Sequence, residues 1–147
     1  MIKDLELKIL PPMVFAHTYV NPGSFEEVWD DGTVYIRIHD SICSPCSSFI
    51  FDYIIKNYAN SKRYKLHVLG SYKMNYNFLG DMKKLGLDQI AYTNSADELG
   101  FIGADSLNVP YLFTISDRKI STLLILSVTK DIEIEAYFNM IDRLLPQ

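Results

Sequence analysis

Two thiols three positions apart, Cys43 and Cys46, stand where a β-branched run gives way to a helical pattern. Such a pair can be a dithiol that exchanges with disulfides, half of a metal site, or two buried thiols that happen to be neighbours. The thiolate is the nucleophile, and a free cysteine with a pKa of about 8.5 is mostly protonated at neutral pH. At the start of a helix, unpaired backbone amides and the macrodipole stabilise its negative charge. Cys43 occupies that junction, and Cys46, one turn further, is close enough to close a disulfide. Pro45 between them is tolerated, because an early helical position needs no amide donor. A zinc site would need two further ligands. The histidines, His17, His39 and His67, lie far apart and there is no second cysteine pair, so the ligand count argues against zinc.

These residues need elements to hold them. Val34 to His39 is a β-rich run, followed by a helical stripe in which Cys46, Phe49, Ile50, Tyr53, Ile54 and Tyr58 recur at spacings of three and four. Tyr64 to Gly70 reads as a second strand. A helix carrying Phe78, Leu79, Met82 and Leu85 follows, closed by Gly86 where a left-handed residue ends helices. Strand, helix, strand, helix implies parallel pairing with crossovers. Gln89 to Tyr92 is a short strand, and Ser95 to Glu98 has the Ser-x-x-Glu spacing of a helix start. Residues 109–115 and 120–126 are β-branched runs joined by a polar tetrapeptide, an antiparallel hairpin. Asp131 opens a last helix with Glu133 and Glu135 near its start, and Ile134, Tyr137, Phe138, Ile141, Leu144 and Leu145 along one side.

Ahead of Thr33 the pattern is weaker. Leu5, Leu7 and Ile9 alternate with charged residues as a half-exposed strand would, Pro11-Pro12 stops it, and Val14 to Val20 is a second extended segment. Asn21-Pro-Gly-Ser and Asp30-Asp-Gly-Thr are turns. The expectation is one α/β domain over residues 1–147, with an N-terminal extended or hairpin segment (1–32) and a core (33–147).

Composition narrows the partners. The chain is 48% hydrophobic and 22% charged, the balance of an ordinary globular protein. Its 18 acidic against 14 basic residues, with no run of like charge, exclude a phosphate-binding surface and so nucleic acid. The longest apolar stretches, such as Ile120 to Val128, are interrupted by Ser and Thr and fall short of a membrane span. The N-terminus is acidic where a signal peptide would be basic and then apolar, which fits a cytoplasmic protein or one whose leader is absent from this sequence.

The strand followed by Cys43-Ser44-Pro45-Cys46 at a helix start, together with Asn108-Val109-Pro110 leading into two strands and a terminal helix, resembles the thioredoxin superfamily. The resemblance covers roughly Thr33 to the C-terminus. The extra segment from Ser95 to Leu107 is similar to that of the TlpA-like envelope thioredoxins, which would place the protein in a bacterial periplasm or cell envelope. It implies a thioredoxin-like fold, a mixed central sheet flanked by helices, and a thiol-disulfide oxidoreductase with Cys43 as nucleophile and Cys46 as resolving thiol. The family's proline is cis and faces the cysteines, so Val109 and Pro110 would shape the substrate groove. No cofactor is implied beyond a redox-active Cys43–Cys46 disulfide; the partners would be a disulfide-containing protein substrate and a reductase or oxidase. Peroxiredoxins share the fold but place Pro and Thr seven and three residues before the reactive cysteine, where this chain has Ile36 and Asp40.

Arg37 stands six residues before Cys43, where thioredoxin has a buried acid, and Ile42-Cys-Ser-Pro-Cys lacks the usual Trp and Gly. An Arg on a central strand must be paired or directed at an opening. It would lower the thiol pKa if it faced Cys43, or else pair with an acid such as Asp40 or snorkel to the sheet edge. His39 and Asp40 are candidates for proton transfer; the alternatives are a strand-end histidine with a satisfied hydrogen bond, which is favoured for His39, and a loop or helix-start residue for Asp40. The competing reading is a thioredoxin-fold binding module with inert cysteines, using the groove beside Pro110 to hold a peptide edge.

Overall fold

The structure, a computed structural model, describes residues 13–14, 29–40, 42, 44–95, 109–116, 119–126 and 131–144, without the side chains of 13–14 and 44–46. Its strands are β1 (Met13–Val14), β2 (Thr33–His39), β3 (Lys65–Ser71), β4 (Ala91–Asn94), β5 (Tyr111–Ser116) and β6 (Lys119–Ile125). Its helices are α1 (Ser44–Tyr58), α2 (Asn75–Lys84) and α3 (Asp131–Leu144). The strands form one mixed sheet in the order β1-β6-β5-β2-β3-β4. β2 and β4 pair parallel with β3, whereas β5 pairs antiparallel with both β2 and β6. β1 adds antiparallel to β6, so part of the expected N-terminal extended segment is a sheet edge; Leu5, Leu7, Ile9, Pro11-Pro12 and Asn21 to Ser24 lie outside the described residues.

All seven residues of β2 are buried, so both faces of the strand are covered. Val34, Ile36 and Ile38 point to the helical side, where they pack with Phe51 and Ile54 of α1, Phe78 and Met82 of α2, and Ile134, Tyr137, Phe138 and Ile141 of α3. Tyr35 points to the other side, into a smaller core of Leu69, Tyr111, Phe113, Ile115, Ile120 and Leu123. There Tyr35 stacks on Phe113 at 5.3 Å, and Trp29 meets both rings edge-on. The Asp30 turn is tied to this cluster by its backbone N–H, which donates to the Tyr35 hydroxyl at 2.6 Å; burial pushes that phenol up to about 12. A chain of hydroxyls, Thr114 to Thr122 and Thr122 to Tyr137, each at 2.8 Å, joins the hairpin to α3 within the helical side.

Several expectations shift. In α1 the buried positions are Ser47, Phe51 and Ile54, and Phe49 is 81% exposed. The run Phe49 to Ile55 is apolar at almost every position, so its period does not fix which side faces inward, and the packing against α2 and α3 does. Leu79 and Leu144 are likewise exposed on their helices. β4 begins two residues later than the Gln89 start expected. The helix-closing role of Gly86 holds, with φ at 72°. The Ser95 capping motif beyond Ser95 itself, and Leu145, lie outside the described residues.

Gly70 fixes the crossover. A Cβ there would stand 2.3 Å from Phe78 Cε1 and 2.8 Å from Asn94 Oδ1, so α2 lies on the bare backbone of β3. Gly70→Ala should therefore destabilise the protein by roughly 1–3 kcal/mol or more in chemical denaturation. Combining it with Phe78→Leu should cost less than the sum of the two changes; strict additivity would mean that the contact does not limit the packing.

His67 Nε2 lies 2.9 Å from Thr93 Oγ1, and burial lowers the ring's pKa below the usual 6.5. The folded state then binds fewer protons than the unfolded state below about pH 6.5, so this contribution is complete above that pH and declines as pH falls. His67→Gln should flatten the dependence of stability on pH below 6.5, read from denaturation midpoints; an unchanged slope would show that the ring is not desolvated.

Candidate functional site

α1 starts at Ser44, directly after Cys43 in the chain. Cys43 itself and the side chain of Cys46 lie outside the described residues. No acidic residue stands in the first turn of α1, so nothing there offsets the positive end of its dipole. Cys46 is the third residue of the helix, as the sequence spacing requires.

The other predicted residues converge on the same end of the sheet. β5 pairs with β2 from Val34↔Thr114 to Arg37↔Tyr111. One step further along that register brings Pro110 level with Ile38, at the end of β2 from which the chain leads to Cys43. Pro110 is buried, and its carbonyl accepts the Leu126 amide at 2.9 Å; Val109 is half-buried. No cis peptide bond occurs among the described residues, so the Val109–Pro110 bond is trans, contrary to the family pattern. An X–Pro amide prefers trans by only about 0.5–1 kcal/mol, so the surroundings select the isomer.

Arg37 is fully buried, which removes the expectation that it snorkels to a sheet edge. Its Nη1 donates to the Gly70 carbonyl at 3.3 Å, within the sheet's interior. Arg37 and His39 leave β2 on the side away from α1, α2 and α3, by alternation with Ile36 and Ile38. His39 is buried with its ring 6.1 Å from that of Tyr111. Asp40 is exposed, at the first position past β2.

Sequence reasoning missed what locks this end of the sheet. The Gly70 carbonyl also accepts the Ser95 amide at 3.0 Å. The Asn94 side chain continues the ladder, accepting from the Tyr72 amide at 3.0 Å and donating to the Tyr72 carbonyl at 3.1 Å. The Tyr72 hydroxyl, whose pKa is raised by burial, donates to Asp81 at 2.7 Å. An isolated glycine inside a strand pattern signals close backbone approach, and Gly70 carried that signal; the Asn94 and Tyr72 bonds had none.

The fold is thioredoxin-like: a mixed sheet with helices packed on it, a helix opening at the C-terminal end of the central strand, and a closing ββα unit. No family model matches the sequence, and no curated protein does. Among solved structures, the chain resembles a candidate protein disulfide isomerase from Bacteroides thetaiotaomicron at 17% identity, over 90% of this chain and 86% of that one, with a TM-score of 0.52. It also resembles a DsbF homologue from Corynebacterium diphtheriae at 14% identity, over 90% and 93% of the two chains, with a TM-score of 0.53. Among the described residues no helix is long and apolar enough to cross a membrane.

Proposed function

We propose that the protein is a thiol-disulfide oxidoreductase whose working groups are Cys43 and Cys46. The observation that carries this reading is the start of α1 at Ser44, within the Cys-Ser-Pro-Cys sequence and just past the C-terminal end of the central strand. In the reducing direction the Cys43 thiolate attacks one substrate sulfur, the S–S bond breaks, and the second sulfur leaves as a thiolate. Cys46, deprotonated, then attacks Cys43 Sγ and releases the substrate's first sulfur. The substrate gains two electrons and a Cys43–Cys46 disulfide remains; oxidation is the same sequence reversed. Val109 and Pro110, just ahead of β5, would position the substrate backbone. The two solved structures of similar fold support this reading, being described as a protein disulfide isomerase candidate and a DsbF homologue. The long connection between β4 and β5 supports the likeness to TlpA-type thioredoxins. This reading implies no metal, flavin or nucleotide; a partner reductase or oxidase resets the pair. His39 and Asp40 stand at the end of β2 as the groups available for proton transfer.

Cys43→Ser should abolish insulin reduction, while Cys46→Ser should accumulate mixed disulfides visible on non-reducing gels. In glutathione buffers the parent should show a reversible two-electron couple between about −270 mV, a reductant, and about −120 mV, an oxidant. Thiols inert across that range would leave a binding module instead.

Arg37 acts on the same pair as a buried cation. Arg37→Met should raise the pKa at which thiolate absorbance develops, whereas Arg37→Lys should retain the parent titration in part. A thiol titration unmoved by Arg37→Met would confine the residue to holding β3 through Gly70.

A further inference from the structure

The outward side of α2 borders an open cleft of about 630 Å³, lined by Asp40, Tyr76, Asn77, Gly80, Lys83 and Lys84. That volume lies in the range of ligand sites. Gly80 sits in mid-helix, where glycine weakens the helix relative to alanine. Gly70 and Gly86 have structural causes, close packing and positive φ, but a Cβ at Gly80 would meet nothing within 4 Å. The missing side chain leaves the helix backbone open to approach from outside. One turn before Gly80 stands Tyr76, its side chain 83% exposed, and one turn after it stand Lys83 and Lys84.

The cleft is electrically polar. Its anionic end is Asp40, three residues before Cys43. Asp81 also lines it, but its carboxylate is engaged by the Tyr72 hydroxyl. The cationic end is the last turn of α2, where the lysines complement the helix dipole as well. Tyr76 to Lys84 spans about 12 Å of helix, and Asp40 to Cys43 spans at most about 10 Å of chain. An extended peptide held at Cys43 covers that path in about four to seven residues.

We propose that this cleft holds the extended segment flanking the disulfide of a protein substrate, and that Lys83 and Lys84 select segments with carboxylates four to seven residues from the reacting cysteine. The inference rests on the assignment of Cys43 as the exchanging thiol. Tyr76 offers a face for an apolar side chain of the segment, and Gly80 admits its backbone.

The test compares peptides that carry one cysteine as a mixed disulfide with glutathione, flanked on both sides by neutral residues and then by three acidic or three lysine residues at positions four to seven. Reduction is driven by dithiothreitol, with glutathione disulfide as the small substrate. The parent should show a KM at least about fivefold lower for the acidic peptide, and Lys83→Glu with Lys84→Glu should invert that order. Gly80→Leu should raise KM for the acidic peptide by a similar factor and leave turnover of glutathione disulfide unchanged. Equal KM values in the parent, or an order unmoved by the double charge reversal, would overturn the proposal. So would a Gly80→Leu protein, folded by circular dichroism, that binds the acidic peptide as before. A parent whose thiols show no reversible couple in glutathione buffers would remove the redox assignment itself, and this inference with it.

Discussion

A central strand with no solvent-facing side constrains everything around it. β2 is buried along its whole length, so its two faces need separate cores and its two edges need partners. The helical side is filled by aliphatic and aromatic side chains from α1, α2 and α3, and the opposite side by Tyr35, Phe113 and their neighbours. The edges are taken by β3 and β5 running in opposite senses, which makes the sheet mixed. Because β3 is parallel to β2, the chain between them must cross over, and α1 is that crossover. A helix N-terminus at the C-terminal end of β2 is therefore a consequence of the strand pairing.

The same strand carries one residue that an apolar interior cannot hold without compensation. An unpaired buried guanidinium is far too costly to persist, and Arg37 donates to the Gly70 carbonyl. That carbonyl belongs to the residue on which Phe78 rests, and it also receives the Ser95 amide. One peptide unit thus joins β2, β3, α2 and the exit of β4. Asn94 extends the bond to Tyr72, and Tyr72 to Asp81 on α2. The end of the sheet from which the chain leads to Cys43 is held by hydrogen bonds among side chains and backbone as well as by apolar packing. Positioning of reacting groups to within a fraction of an ångström needs such support.

How much of this was legible in the sequence depended on whether a local rule dominated. The strands and helices of the core were visible, because β-branched runs and spacings of three and four report burial directly. Gly86 was legible because few other residues tolerate its φ. The facing of α1 was not, since a segment apolar at nearly every position has no period to read, and the exposure of Phe49 is set by neighbouring helices. The start of α1 was legible from the change of period around it. The Arg37 to Gly70 bond was not, since it joins residues 33 positions apart and only the β2–β3 register, with Arg37 opposite Leu69, brings them within reach. The isomer at Pro110 is a tertiary choice between nearly equal states, which no local motif decides.

The charges around the junction do not act equally. The α1 amides act at the helix start itself, and with no acid in the first turn their effect on an adjacent thiolate is uncancelled locally. Asp40 carries a charge of the opposite tendency, but it is exposed, so water and salt screen it. Arg37 is buried, where a charge acts through a medium of low effective dielectric and its influence at a given distance is several times larger. If Cys43 is the exchanging thiol as proposed, the uncancelled helix terminus, and the buried cation where its field reaches the thiol, would favour the thiolate, while the exposed anion would oppose it only weakly. On the proposed assignment such a field would make the nucleophilic thiol more acidic, and a more acidic nucleophilic thiol stabilises the reduced pair and moves the couple towards the oxidising end of its range.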